Sequence, residues 1–333
     1  MDAWLCYDLR TSKAGASSAD IAAAAIEQVA WADSRGFSAV LLPEHHGADD
    51  GYDPSPFVLA AAMASRTSRI RFNIGAVLLP LHNPLRVAED AVTLDVISGG
   101  RVNLTAGLGY VPSEFDMFGV ALRDRAWLAD ESLSVLRSAF TGEPFEYRGR
   151  RARVTPKPVN DSIPIYVGGA VAASARRAAR LGDGFFPTVP STELAGVYTD
   201  ECARLGHQPG PVVTMAPPLF VHVAEDPDEA WARIAPHAMY EMAEYGRWAA
   251  EAAALSNMDS PYQEVPDSET LRATGIYAVV TPDQAVALVR DAQREDRLVN
   301  FKPMMGGLSP DMAWESLELF AAKVLPAIQG AGA

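Results

Sequence analysis

The chain has 333 residues, 49% of them apolar and 21% charged, which suits one large folded core of barrel size and excludes a disordered chain. Its 42 acidic residues outnumber 28 basic ones for a net charge of −14, a balance that repels phosphate backbones and anionic lipid, so neither nucleic acid nor membrane is expected as a partner. Only Cys6 and Cys202 are present, which rules out a disulfide framework or zinc ribbon, and no basic-then-apolar leader or long apolar run is seen, so a cytoplasmic protein is expected.

Residues 3–9 read as a short strand, and Ile21, Ala25, Ile26, Val29 and Ala30 recur at helical spacing, with Ser17, Ser18 or Asp20 as cap and Gly36 as stop. The apolar run 37–42 suits a strand buried on both faces and completes a βαβ unit. The alternation continues with a helix at 55–65, a strand at 70–79, a helix at 84–97, a strand at 102–107 and a helix at 124–140. Strands at 163–167, 184–187 and 212–223 follow, separated by helices at 172–181 and 194–205. A helix begins near Pro227, the eighth strand falls at 298–304, and a helix at 310–328 closes the pattern. The segment 275–280 is extended but has no assigned place in this scheme. Eight buried strands alternating with helices admit a closed (β/α)8 TIM barrel or an open doubly wound sheet, which periodicity alone does not separate, in either case a single unit over 1–333 with insertions near 141–162 and 246–274. No Gly-x-Gly-x-x-Gly opens the first helix, which weighs against the open dinucleotide-binding sheet.

In a barrel the second strand would deliver Pro43, Glu44, His45 and His46 to the mouth, placing a carboxylate beside imidazoles. The other histidines, His82, His207, His222 and His237, are scattered, so no metal centre is expected. Gly75 and Ala76 put small side chains in the third strand, where either close approach of a flat ring or simple packing room would use them. The run Val167-Gly168-Gly169-Ala170-Val171 leads a buried strand into a helix start near Ser174. There, first-turn N–H groups could hold a phosphate, or the glycines could form an ordinary turn.

Several stretches together carry a resemblance: Leu42-Pro43-Glu44-His45-His46, Gly51-Tyr52-Asp53-Pro54-Ser55-Pro56, Leu79-Pro80-Leu81-His82-Asn83-Pro84, Ser98-Gly99-Gly100-Arg101 and Arg177-Ala178-Ala179-Arg180-Leu181-Gly182-Asp183-Gly184. In order along most of the chain, these resemble the bacterial-luciferase-like, flavin-dependent monooxygenase family. The resemblance implies a dimeric barrel that binds reduced FMN, reacts it with O2, and oxygenates a small organic substrate. A separate flavin reductase would supply the electrons. By position it implies that His45 is the catalytic histidine and Glu44 a carboxylate beside the flavin ring. It further implies a non-prolyl cis peptide at Gly75-Ala76 and a flavin phosphate loop at Gly168, Gly169, Ala170, Val171 and Ser174. The chain departs from the pattern at Leu108, where luciferase has a phosphate-contacting arginine, and has Glu114 where an acidic residue follows. The alternatives are a deazaflavin (coenzyme F420) hydride-transfer enzyme of the same superfamily and a noncatalytic flavin-binding protein. The acidic stretch 246–274 is expected to form a mobile lid with few apolar anchors.

Overall fold

A computed structural model describes residues 3–12, 15–215, 217–253, 265–295 and 297–329. The first half runs β1 (Ala3–Cys6), α1 (Ser18–Asp33), β2 (Ala39–Leu42), α2 (Pro56–Ala64), β3 (Arg71–Leu78), α3 (Pro84–Ser98), β4 (Val102–Gly107), α4 (Pro112–Phe118) and α5 (Arg125–Phe140). The second half runs β5 (Phe145–Tyr147), β6 (Arg150–Ala152), β7 (Ile165–Gly169), α6 (Ala172–Leu181), β8 (Gly184–Pro187), α7 (Thr192–Leu205), β9 (Phe220–Val223) and α8 (Pro227–Ala253). It ends with α9 (Ser268–Ala273), β10 (Tyr277–Val280), α10 (Pro282–Arg294), β11 (Val299–Phe301), α11 (Pro310–Leu319) and α12 (Leu325–Gln329).

Local chemistry explains these boundaries. Ser17 caps α1 by accepting from the Asp20 N–H, and Ile21, Ala24, Ala25, Gln28, Val29 and Ala32 form its buried stripe. Asn83 caps α3 ahead of Pro84, and Gly99 ends it in the left-handed conformation at φ 71°. β1 and β2 are buried along their whole length, as strands covered by helices on one side and a filled interior on the other must be.

Seven strands form one parallel sheet in the order β11-β1-β2-β3-β4-β7-β8, which curls into the wall of an α/β barrel. The expected seventh strand, 212–223, is interrupted. Val212 makes one parallel bridge to Phe185, and the Val213 N–H donates to the Phe185 carbonyl at 3.0 Å. Pro217 and Pro218 then follow, joined by a cis bond, and neither has an N–H to give a ladder. β9 forms only beyond them and pairs in parallel with β10 in a separate two-stranded sheet. This gives the unassigned segment 275–280 its place. The Asn300 side chain of β11 donates to the Leu219 carbonyl at 2.8 Å, which holds this edge beside the barrel wall.

The insertion near 141–162 carries the β5–β6 hairpin, whose two turn residues Arg148 and Gly149 both have positive φ (49° and 71°), the geometry of a tight primed turn. The stretch 246–274 departs from the lid expectation over its first part. Its residues through Ala253 continue α8, and Glu251 accepts from the Ser113 N–H of α4 at 2.9 Å. The remainder of that expectation at 254–264 lies outside the described residues. Among the described residues no helix is long and apolar enough to cross a membrane.

Candidate active site

All strands of the main sheet run parallel, so the segments after β1, β2, β3, β4 and β7 gather at one end of the barrel. The first two are zipped together. The Thr11 N–H donates to the Asp50 carbonyl (2.8 Å), Asp53 N–H to the Asp8 carbonyl (2.7 Å), and His45 N–H to the Asp53 carbonyl (3.3 Å).

His45 is buried, and its Nδ1 lies 2.8 Å from Glu114 Oε1. A carboxylate can only accept there, so Nδ1 carries the hydrogen and Nε2 is left to take or give a proton. The same Glu114 oxygen accepts from the His46 backbone N–H at 2.8 Å, which fixes the strand end as well as the ring. Glu114 Oε2 is buried and has no hydrogen-bond partner among the described residues. A wall of rings surrounds His45. Trp248 stacks on it with centroids 4.3 Å apart and 29° between planes, and Tyr52, Tyr110 and Tyr245 meet it edge-on at 4.9, 5.8 and 6.4 Å. This wall excludes water from the imidazole. Trp248, only 3% exposed, is one of the few apolar anchors of 246–274 and fixes its first part in the wall.

Glu44 is turned away from His45. Its Oε1 accepts from His46 Nε2 at 2.6 Å and His82 Nε2 at 2.5 Å, and its Oε2 accepts from the Leu78 N–H at 3.0 Å. Burial alone would push this carboxyl up, but the two imidazole hydrogen bonds outweigh it and hold the group at about 2. Burial opposes charge on His82 too, and the Glu44 contact overcomes it, so the His82 pKa is raised. The sequence reading left His82 apart from the strand-two histidines. The fold joins them, because β2 and β3 pair in parallel and the segment after β2 runs beside the last residues of β3, where the Leu78 N–H holds Glu44. Among the described residues this is the grouping with the donor chemistry of a cation site, and its donors are bonded to one another.

The Gly75-Ala76 peptide is cis, as the resemblance implied, and the β3–β4 register shifts between Gly75 and Val77. The strands are tight here. A Cβ added at Gly75 would lie 2.9 Å from Thr105 Cβ, and one at Gly107 would lie 2.7 Å from Ala76 Cβ. At the end of β7, Gly168, Gly169 and Ala170 are half-buried and Val171 is exposed, while Ser174 is buried with its hydroxyl on the Val171 carbonyl at 2.6 Å. Gly169 has φ 150°, and a Cβ there would fall 2.5 Å from Ser174 Cβ, so the loop requires glycine. Arg177 of α6 is not part of a solvated face: it is buried and ion-paired with Asp130.

Sequence reasoning missed a buried charged layer packed against the same rings. Arg10 has no exposure, and its Cζ lies 4.7, 4.8 and 5.2 Å from the rings of Tyr245, Tyr52 and Trp248. Lys302 pairs with Asp8 at 2.7 Å and touches Glu241, which accepts from the Tyr277 hydroxyl. The available signal was charge directly after apolar strands, in Asp8-Leu9-Arg10 after β1 and Lys302 after β11.

These residues suit a flat polar ring with a phosphate tail. Buried polar atoms on Glu114 and Asn73 lack hydrogen-bond partners among the described residues, and the first turn of α6 offers backbone donors. The comparisons agree with this architecture. Limonene 1,2-monooxygenase of Rhodococcus erythropolis is 26% identical over 324 residues, covering 92% of this chain and 81% of that protein. The oxygenating constituent of 3,6-diketocamphane monooxygenase from Pseudomonas putida, a type II Baeyer-Villiger monooxygenase solved with FMN, superposes with TM-score 0.73 at 22% identity, covering 98% of this chain and 99% of that one. An F420-dependent secondary alcohol dehydrogenase solved with an F420-acetone adduct gives TM-score 0.69 at 16% identity, with 98% and 99% coverage. Other curated relatives match over shorter stretches, and in the first of them the chain spans about half of the relative's length (51%, 43% and 44%). The family model for luciferase-like monooxygenases matches residues 6–297, and the chain belongs to that family.

Proposed function

We propose that this protein is a flavin-dependent monooxygenase that uses reduced FMN and O2 to oxygenate a small organic substrate, with reduced flavin delivered by a separate reductase. The observation that carries this reading is His45, held through Nδ1 by Glu114 at 2.8 Å inside a wall of four aromatic rings at the barrel mouth. When bound, reduced FMN would supply the oxygen-activating chemistry.

The chain's own part is positional and electrostatic. Backbone N–H groups at the start of α6, with Gly168, Gly169, Ala170, Val171 and Ser174 shaping the loop, would hold the phosphate. Gly75 and Ala76, at the register shift of β3, would place the ring against that strand. His45 Nε2 would exchange a proton with the reacting centre, and Glu114 would stabilise the imidazolium so formed. Glu44 serves this site indirectly, by clamping His46 and His82 and so fixing the strand end that carries His45. A noncatalytic flavin-binding protein would have no use for a buried, carboxylate-anchored imidazole. The family resemblance also supports a homodimer, which light scattering would check.

A second reading, deazaflavin-dependent hydride transfer, is favoured by Leu108 after β4, which removes the arginine that luciferase uses on the flavin phosphate, and by the likeness to the F420 enzyme fold. Anaerobic titration with photoreduced FMN and with reduced F420, followed by admission of oxygen, separates the two. Tight binding of reduced FMN and oxygen-dependent turnover support the first, whereas selective F420 binding without oxygen consumption supports the second.

A further inference from the structure

Arg10 presents an unusual combination. Its side chain is fully buried, yet none of Nε, Nη1 and Nη2 has a hydrogen-bond acceptor among the described residues. Asp50 and Asp8 oxygens lie 3.4 and 3.6 Å from Nε, close enough for ion pairing, but neither accepts a hydrogen bond from it. Tyr52, Tyr245 and Trp248 rings lie over the guanidinium carbon at 4.7–5.2 Å. Aromatic rings satisfy the face of a guanidinium, whereas its five N–H bonds lie in the plane and need acceptors at the edge. Buried donors left without one are costly and call for an explanation.

The position of Arg10 supplies that explanation. Trp248, Tyr52 and Tyr245 are the same rings that wall His45, so the guanidinium and the reacting imidazole share three ring neighbours. Charge narrows its chemistry. Arg10 and Lys302 are accompanied by Asp8, Asp50 and Glu241, two cations against three carboxylates, and a further anion in this buried layer would be repelled. A neutral oxygen acceptor adds no charge and satisfies the donors.

We propose that Arg10 binds, through its N–H edge, the neutral carbonyl oxygen of a flat, largely apolar molecule held beside His45 against Tyr52, Tyr245 and Trp248. The proposal rests on the functional reading above only in placing the reaction at His45. Such a carbonyl has two sources, an organic carbonyl substrate or the pyrimidine-dione edge of the flavin itself.

Calorimetry on the full chain separates them, with acetophenone, 1-phenylethanol, benzoate and photoreduced FMN as probes against wild type and Arg10→Lys, which keeps the charge and loses the planar fork. Loss of roughly tenfold or more in acetophenone affinity with FMN affinity unchanged supports the substrate source, and the converse supports the flavin source. Unchanged affinity for both overturns the proposal, as does wild-type preference for benzoate over acetophenone. If Arg10→Lys does not fold, infrared difference spectra of carbonyl-labelled acetophenone and of carbonyl-labelled FMN bound to wild type decide. A band shifted to lower wavenumber than in an apolar solvent supports hydrogen bonding, and unshifted bands for both overturn it. If reduced FMN does not bind at all, the functional reading fails, which is a different outcome from FMN binding that ignores Arg10.

Discussion

The wall around His45 and the loop at 168–174 face the same end of the barrel and are built in opposite ways. In the wall, nearly every polar group is buried and tied to another: Glu114 holds His45 and His46, Glu44 holds His46 and His82, and Asp8 and Glu241 hold Lys302. The loop works through backbone. Its glycines are half-buried, Val171 is exposed, and the one buried side chain, Ser174, is occupied with its own turn. A site assembled from interlocked side chains is pre-organised and fails sharply when one member is removed. A site assembled from main-chain donors tolerates side-chain change except where the backbone conformation itself is demanded.

The contrast predicts a graded series. The largest effect is expected at the dyad: His45→Ala should spare flavin binding and lower oxygenation by about 10²–10⁴-fold, the usual contribution of a positioned acid–base group. Product formed per reduced flavin measures it, and an undiminished yield would transfer the proton role to another residue.

Next is Trp248. Truncation to Ala removes a buried ring shared by His45 and Arg10, and stability should fall by about 3–5 kcal/mol, read by denaturant unfolding. A stability loss below about 1 kcal/mol would show that the wall is less interlocked than described here.

The Glu44 clamp should reveal itself by pH. Its folded pKa of about 2 lies below the ordinary 4.5. Its stabilisation is therefore present above pH 4.5 and lost as pH falls through 2, on the order of 3 kcal/mol in all. The raised His82 pKa acts in the other direction, stabilising below 6.5 and losing that contribution as pH rises past its folded value. The clamp is thus strongest between these limits. Wild type should lose stability on acidification more steeply than Glu44→Gln, and parallel curves would contradict the clamp.

The smallest effect belongs to the loop. Gly169→Val forces a branched side chain onto φ 150° and against buried Ser174, and it should weaken FMN binding by about tenfold and lower the melting temperature by a few degrees, less than Trp248→Ala does. Unchanged affinity would place the phosphate elsewhere.

The difference between the two regions also explains what was legible in the sequence. Strand runs such as 37–42 and the glycine pair at 168–169 are local signals, and they give the strand–helix alternation and a tight turn directly, while the closed barrel came from family resemblance. The small pair Gly75-Ala76 was visible in the third strand, but its cis peptide and the place of Glu114 came from family resemblance. The wall is non-local. Trp248 and Tyr245 reach His45 from about two hundred positions away, and an acidic, alanine-rich helix end reads as a solvated connection until the fold brings it over the barrel mouth. His82 and Glu44 were both visible as residues, but only strand register could show that they touch. The break at Pro217-Pro218 was readable from the missing donors, yet the apolar run on either side hid it.

The central claim is that this barrel mouth is built for reduced FMN beside a carboxylate-anchored imidazole. Anaerobic fluorescence titration of the full chain with photoreduced and oxidised FMN, followed by oxygen admission with His45→Ala as control, tests it most directly. The account predicts tighter binding of the reduced form by both proteins and, with an organic substrate present, oxygenated product from wild type at about a hundredfold or more above His45→Ala. Equal, negligible binding of both flavin forms would contradict it.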